Sequence, residues 1–68
     1  MKRRFTFKDE KSSKFWEIES KDKEFTVTFG KIGTDGQSKT KTYSTAADCD
    51  KEVKKLISEK TKKGYKEG

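Results

Sequence analysis

The sequence predicts an α+β domain, an antiparallel sheet of about four strands with one C-terminal α-helix packed on its apolar face. Three observations lead there. Apolar and polar residues alternate in short runs, at Phe5 and Phe7, Trp16 and Ile18, and Phe25, Val27 and Phe29, the period of a strand with one buried face. After Thr45 the apolar residues recur at helical spacing. Glycine and Asp-Gly turn signals, with no proline anywhere, punctuate the strands.

The elements follow in chain order. Phe5 and Phe7 alternate with Arg4, Thr6 and Lys8, a short strand that is apolar on one side. The polar stretch Asp9 to Ser13 is a turn. In Lys14 to Ser20, Trp16 and Ile18 point one way, while Glu17 and Glu19 point the other together with Phe15. "KDK" at 21–23 is a tight connection. Glu24 to Ile32 is the strongest strand, with Phe25, Val27 and Phe29 on one face and threonines between them. "GTDG" breaks it, and Gln37 to Ser44 resumes as a fourth strand. There Gln37, Lys39, Lys41 and Tyr43 share one face, and Ser38, Thr40 and Thr42 the other.

Thr45 then caps a helix, with Asp48 in its first turn facing the positive end of the dipole. Ala46, Cys49, Val53, Leu56, Ile57 and Lys60 make a narrow stripe along it. Lys60, Lys62 and Lys63 suit the negative end, and Gly64 is placed to terminate the helix, with Tyr65 folding back onto the last turn.

Composition bounds what this domain can be. The chain has 68 residues, of which 26% are hydrophobic and 44% charged, so a single domain spanning 1–68 with a lean core is expected. The net charge is +6, from 18 Lys+Arg against 12 Asp+Glu. A basic surface of this kind attracts phosphates, acidic proteins or anionic membranes, and it also keeps a small domain soluble. The basic start MKRRF is followed by no apolar run, so neither a signal peptide nor a membrane span is expected. A lone cysteine excludes an internal disulfide framework and fits a reducing, cytoplasmic setting.

These residues offer little to catalysis. With no histidine, the usual general base at neutral pH is missing. Cys49 lies on the apolar stripe, where a small core residue is the simpler reading than a nucleophile. One Cys or His ligand cannot make a zinc site. The acids alternate with lysines as solvated ion-pair partners. No enzyme activity, cofactor or metal is expected.

"FGKIGTDGQS", residues 29–38, is the segment that carries information about binding. Its glycines have neither the dinucleotide-binding spacing nor the terminal G-K-[ST] of a P-loop. Gly33 and Gly36 are most simply turn residues, whereas Gly30 interrupts the best strand and marks a bulge or a close approach to the backbone. Lys31, Lys39 and Lys41 cluster around the turn with Gln37, and Phe29 and Tyr43 add flat faces. Lysines neutralise phosphates, and aromatics stack on sugars and bases. For Phe29 the competing reading is a further core residue, and for the lysines a solvated sheet face.

"FWEIE", then "FTVTFGKIGTDGQSKTKTYST", then "AADCDKEVKKLISEKTKKGY" resembles the WGR domain across roughly residues 3 to 66. The similarity is to the bacterial branch, found alone or in proteins related to the molybdate metabolism regulator. The family is named for a Trp-Gly-Arg tripeptide, and Phe29-Gly30-Lys31 stands in its place. The resemblance implies a compact antiparallel sheet with one packed helix. WGR domains also occur in DNA-dependent poly(ADP-ribose) polymerases, where they bind near a DNA break and relay the signal to neighbouring domains. There the signature aromatic packs on the sugar–phosphate end of a strand, and the basic residue serves DNA-proximal or interdomain contacts. Carried over, those roles fall on Phe29 and Lys31, with Gly30 admitting a partner close to the backbone. Phe lacks the indole N–H, and Lys is a point charge without the planar fork of Arg, so less strict contacts are implied. No polymerase activity transfers, because that family's catalytic domain is not in these residues.

Two functions are therefore expected to compete. The first is a non-enzymatic nucleic-acid-binding module, with DNA ends as the ligand and Phe29, Gly30, Lys31, Gln37, Lys39, Lys41 and Tyr43 as the site. The alternative is a module that docks an acidic protein or a neighbouring domain of a larger parent protein.

Overall fold

The computed structural model describes residues 2–67. Strands β1 (Lys2–Lys8), β2 (Ser13–Lys21), β3 (Glu24–Lys31) and β4 (Gln37–Thr42) are followed by helix α1 (Ala46–Lys62) and a two-residue strand β5 (Lys66–Glu67). They form one sheet in the order β4-β3-β2-β1-β5, every pair antiparallel. The α+β expectation holds, with a fifth strand added. Two residues are too few to show a period, and pairing of Phe5 with Glu67 and Thr6 with Lys66 creates β5. A bidentate ion pair reinforces it: Arg3 Nε and Nη2 donate to the two carboxylate oxygens of Glu67 at 2.7 and 2.5 Å.

The hairpin β2–β3 sets the framework. Lys21 pairs with Glu24, leaving Asp22 and Lys23 as a two-residue turn in which Asp22 takes φ 55°. Such turns match the right-handed twist of the flanking strands, and aspartate is among the side chains that tolerate positive φ. The resulting register puts Trp16 opposite Phe29 and Ile18 opposite Val27. Phe5 lies opposite Trp16 on the other side. One face is thereby apolar across three strands, and α1 covers it. Phe5, Trp16, Ile18, Phe25, Cys49 and Val53 form the buried cluster, with Val27, Phe29, Leu56 and Ile57 packed at its margin. Cys49 and Val53 face inward, while Ala46 at the start of the expected stripe is exposed.

Both helix ends are closed by the residues named for them. Thr45 is extended (φ −136°), and its hydroxyl accepts the Asp48 N–H at 3.1 Å. At the other end Gly64 takes φ 101°, a left-handed conformation that costs a residue with a Cβ about 1 kcal/mol. Its N–H donates to the Thr61 carbonyl, and that of Tyr65 reaches back to Lys60 at 3.0 Å. This paired closure satisfies carbonyls that would otherwise lack partners. Tyr65 then lies 5.5 Å, ring to ring, from Phe7.

The face away from the helix is mostly polar, with hydroxyl pairs Thr26–Thr40 at 2.8 Å and Thr28–Ser38 at 2.9 Å bridging β3 and β4. Phe15 is the exception. It is buried on that side beneath Arg4, whose guanidinium sits 4.7 Å from the ring centroid, and beneath Gly36. The turn after β3 folds back to supply this cover. A Cβ on Gly36 would stand 2.5 Å from the Phe29 carbonyl oxygen and 2.8 Å from Phe15 Cζ, and one on Gly30 would stand 2.9 Å from Gly36 Cα. The close approach anticipated at Gly30 is therefore made by the chain's own turn.

Two outcomes follow. Gly36→Ala combines strained φ (+74°) with those clashes, whereas Gly33→Ala at φ +95° meets nothing within 4 Å. Urea unfolding should show a loss of about 1 kcal/mol for Gly33→Ala and clearly more for Gly36→Ala. The hydrogen bonds from Arg3 hold the Glu67 carboxyl below its ordinary range. The stabilisation is therefore complete above the ordinary glutamate pKa and fades as pH falls through the lower folded-state value. Protection of the Lys66 and Glu67 amides, measured relative to their intrinsic exchange rates, should fall only in that acidic window, and Arg3→Gln should abolish that fall.

Candidate nucleic-acid interface

At one end of the sheet, the start of β2 and the end of β3 meet the last turns of α1. The register makes Lys14 the cross-strand neighbour of Lys31. Together with Lys11 and Lys60 these lysines surround an open groove of about 540 Å³ whose floor includes Trp16, Phe29, Gly30 and Tyr65. Among the described residues no acidic one lines it. Like charges on a concave, partly apolar surface raise the local potential and draw anions in. Phe29 and Tyr65 are half-buried and keep part of their rings open to the groove, while Trp16 is buried beneath it.

Lys60 is the pivot of this region. Its position on the inward stripe of α1 brings Nζ 5.8 Å from the centroid of Trp16 and 5.3 Å from that of Tyr65. Ring faces attract the ammonium without neutralising it. Desolvation by burial, aided by Lys63 and Lys14 and opposed by Glu59, lowers its pKa from the usual lysine value.

The residues anticipated for binding divide into three places. Phe29, Gly30 and Lys31 line the groove just described. Phe29 also borders a second hollow of about 330 Å³ with Lys39, Lys41, Val27 and Leu56, between β4 and the helix. Lys39 Nζ lies 5.9 Å from the Phe29 centroid, and Gln37 is paired with Phe29 across the β3–β4 ladder. Tyr43 is elsewhere. Its ring stacks on Phe25 at 5.8 Å and 20°, against the core at the opposite end of β3. Phe29 is thus both core margin and groove wall.

Lys11, Lys14, Lys60 and Tyr65 were not anticipated as lining residues. Lys14 becomes legible once "KDK" is read as a two-residue turn, because that register pairs it with Lys31. Lys60 carried a signal of its own, a charged residue on an otherwise apolar helical stripe.

The family model for the WGR domain matches residues 1–68. The chain belongs to the WGR domain family. Two Escherichia coli K12 proteins are similar to it: the uncharacterised protein YfeS, 46% identical over 67 residues, and protein YehF, 49% identical over 65 residues. These matches take in 98% and 96% of this chain but 28% and 24% of the relatives, so the chain spans about a quarter of their length. A crystal structure of a Bacteroides fragilis protein is 51% identical and superposes with a TM-score of 0.97, over 100% of this WGR domain and 19% of that chain. The WGR domain is a small module not known as a catalytic domain, and its membership points to nucleic-acid binding or regulation. No helix among the described residues is long and apolar enough to cross a membrane.

A direct check of the groove's electrostatics is the titration of Lys60. In an NMR titration following its side-chain carbons, Lys60 should lose its proton below the usual lysine value. Lys63→Gln, which removes a neighbouring cation, should move it back toward that value.

Proposed function

We propose that this WGR domain is a non-enzymatic nucleic-acid-binding module that takes a DNA strand end into the groove between β2, β3 and the end of α1. The observation that carries this reading is the groove itself, with Lys11, Lys14, Lys31 and Lys60 around aromatic walls and no carboxylate side chain among the described lining residues. Phosphates would be neutralised by Lys14 and Lys31, and a terminal sugar would rest on the open part of Phe29. Lys39 and Lys41, beside the adjoining hollow, would follow the backbone away from the end, with Gln37 as a neutral hydrogen-bonding group. Gly30 admits the chain's own turn at Gly36, and Tyr43 supports β4 through Phe25.

A second reading has its own observation. The hollow bordered by Val27, Phe29 and Leu56 is apolar, with Lys39 and Lys41 alongside, which suits an acidic, partly hydrophobic protein surface. The relatives' greater length supplies candidates for such a neighbour.

Fluorescence anisotropy with blunt, 5′-phosphorylated and single-stranded DNA separates the readings. Binding should weaken with salt by about 0.9 in log K per log salt for each phosphate neutralised on duplex DNA. Lys14→Glu with Lys31→Glu should weaken it on the order of tenfold or more, since two attractive contacts become repulsive. Lys39→Glu with Lys41→Glu should act less on short ends than on longer strands. Absence of binding at low salt would leave the protein-docking reading in its place.

A further inference from the structure

Lys60 differs from every other lysine of the chain. All the others are exposed, whereas Lys60 is half-buried. Its backbone is fixed, because its carbonyl accepts the N–H groups of Lys63 and Tyr65 at the closed helix end. Its Nζ is held between the rings of Trp16 and Tyr65. Among the described residues the ion pairs involve Lys2, Arg3 and Arg4, and none engages Lys60. The amine nevertheless remains within reach of solutes, since Lys60 lines the main groove, the hollow between β4 and the helix, and a smaller hollow of about 250 Å³ bordered by Phe7, Lys14, Lys63 and Tyr65.

This is the environment of a reactive amine. A lysine becomes nucleophilic when desolvation and neighbouring cations favour its neutral form, and both act on Lys60. Cations that line the same spaces, Lys14 and Lys31 in the main groove and Lys14 and Lys63 in the small hollow by Phe7, would hold an anion beside it. We propose that Lys60 captures a phosphate-bearing aldehyde in this groove as an imine. The neutral amine adds to the carbonyl carbon, the carbon–nitrogen bond forms, and the carbonyl electron pair moves to oxygen, which takes up a proton. Loss of water then yields the protonated imine, so that ammonium and aldehyde become iminium and water with no change in charge or oxidation state. Water carries the protons, as no histidine is available. Two sources share this chemistry: the opened sugar of an abasic site, flanked by phosphates, and a free sugar-phosphate aldehyde. The first rests on the nucleic-acid reading above, and the second does not.

Borohydride trapping tests both. The full chain is reduced in the presence of glyceraldehyde phosphate, of unphosphorylated glyceraldehyde, or of a single-stranded oligonucleotide carrying one abasic site, and adducts are located by peptide mass mapping. The expected result is an adduct concentrated on Lys60, weaker with the unphosphorylated aldehyde, and lost in Lys60→Arg, which keeps the charge. Circular dichroism of that variant checks the fold, and mapping on the native chain does not depend on it. Label spread evenly over the surface lysines, or an adduct that survives Lys60→Arg undiminished, would overturn the proposal. Anisotropy with the intact oligonucleotide separates the two readings. If it fails to bind while glyceraldehyde phosphate still labels Lys60, the nucleic-acid reading falls and the free aldehyde is the source. If it binds and neither aldehyde labels Lys60, the imine proposal alone falls.

Discussion

The turn at Asp22 and Lys23 decides which residue of β2 stands opposite which residue of β3, and the rest of the molecule depends on that pairing. Because side chains alternate across a strand, a slip of one residue would move Trp16 and Ile18 to the polar face and bring Glu17 and Glu19 against the helix. In the observed register Trp16, Ile18, Val27 and Phe29 make one continuous surface, and the same register aligns Lys14 with Lys31. The core and the cationic groove are thus two results of one geometric choice. A chain this poor in apolar residues has little surplus burial with which to tolerate a wrong one.

The end of α1 links stability to the site in a second way. Gly64 and Tyr65 terminate the helix by satisfying its last carbonyls, and Tyr65 then lies against Phe7 while contacting Lys60. The residues that stop the helix therefore also build a wall of the groove. A fully polar helix end would leave Lys60 free to extend into water, as the other lysines do. Its half-buried position comes from the inward stripe of the helix and from the aromatic rings that meet it there.

Much of this was legible in sequence. Period-two alternation placed Phe25, Val27 and Phe29 on one face and put Phe15 opposite Trp16, and the Thr45 cap and Gly64 stop followed from local chemistry. Those features depend on neighbours a few residues apart. The features that escaped depend on partners far along the chain: β5 against β1, the turn at Gly36 folded over Phe15, and Tyr43 stacked on Phe25. The candidate site divides along the same line. The Phe29-Gly30-Lys31 wall was visible as a local motif, whereas Lys11, Lys14 and Lys60 join it only through strand register and helix docking.

Strand β4 has a further consequence for the behaviour of the domain in a crowded solution. It lies at the edge of the sheet, all six of its residues are exposed, and its outer row of backbone groups has no strand beside it. Such an edge is a template for self-association. Here lysines 39 and 41 alternate with hydroxyl residues, so two copies meeting edge to edge would crowd four ammonium groups onto a single face. Charge repulsion thereby acts as a colloidal safeguard, and because salt screens it, that protection is greatest at low ionic strength, where attraction for phosphates is also strongest.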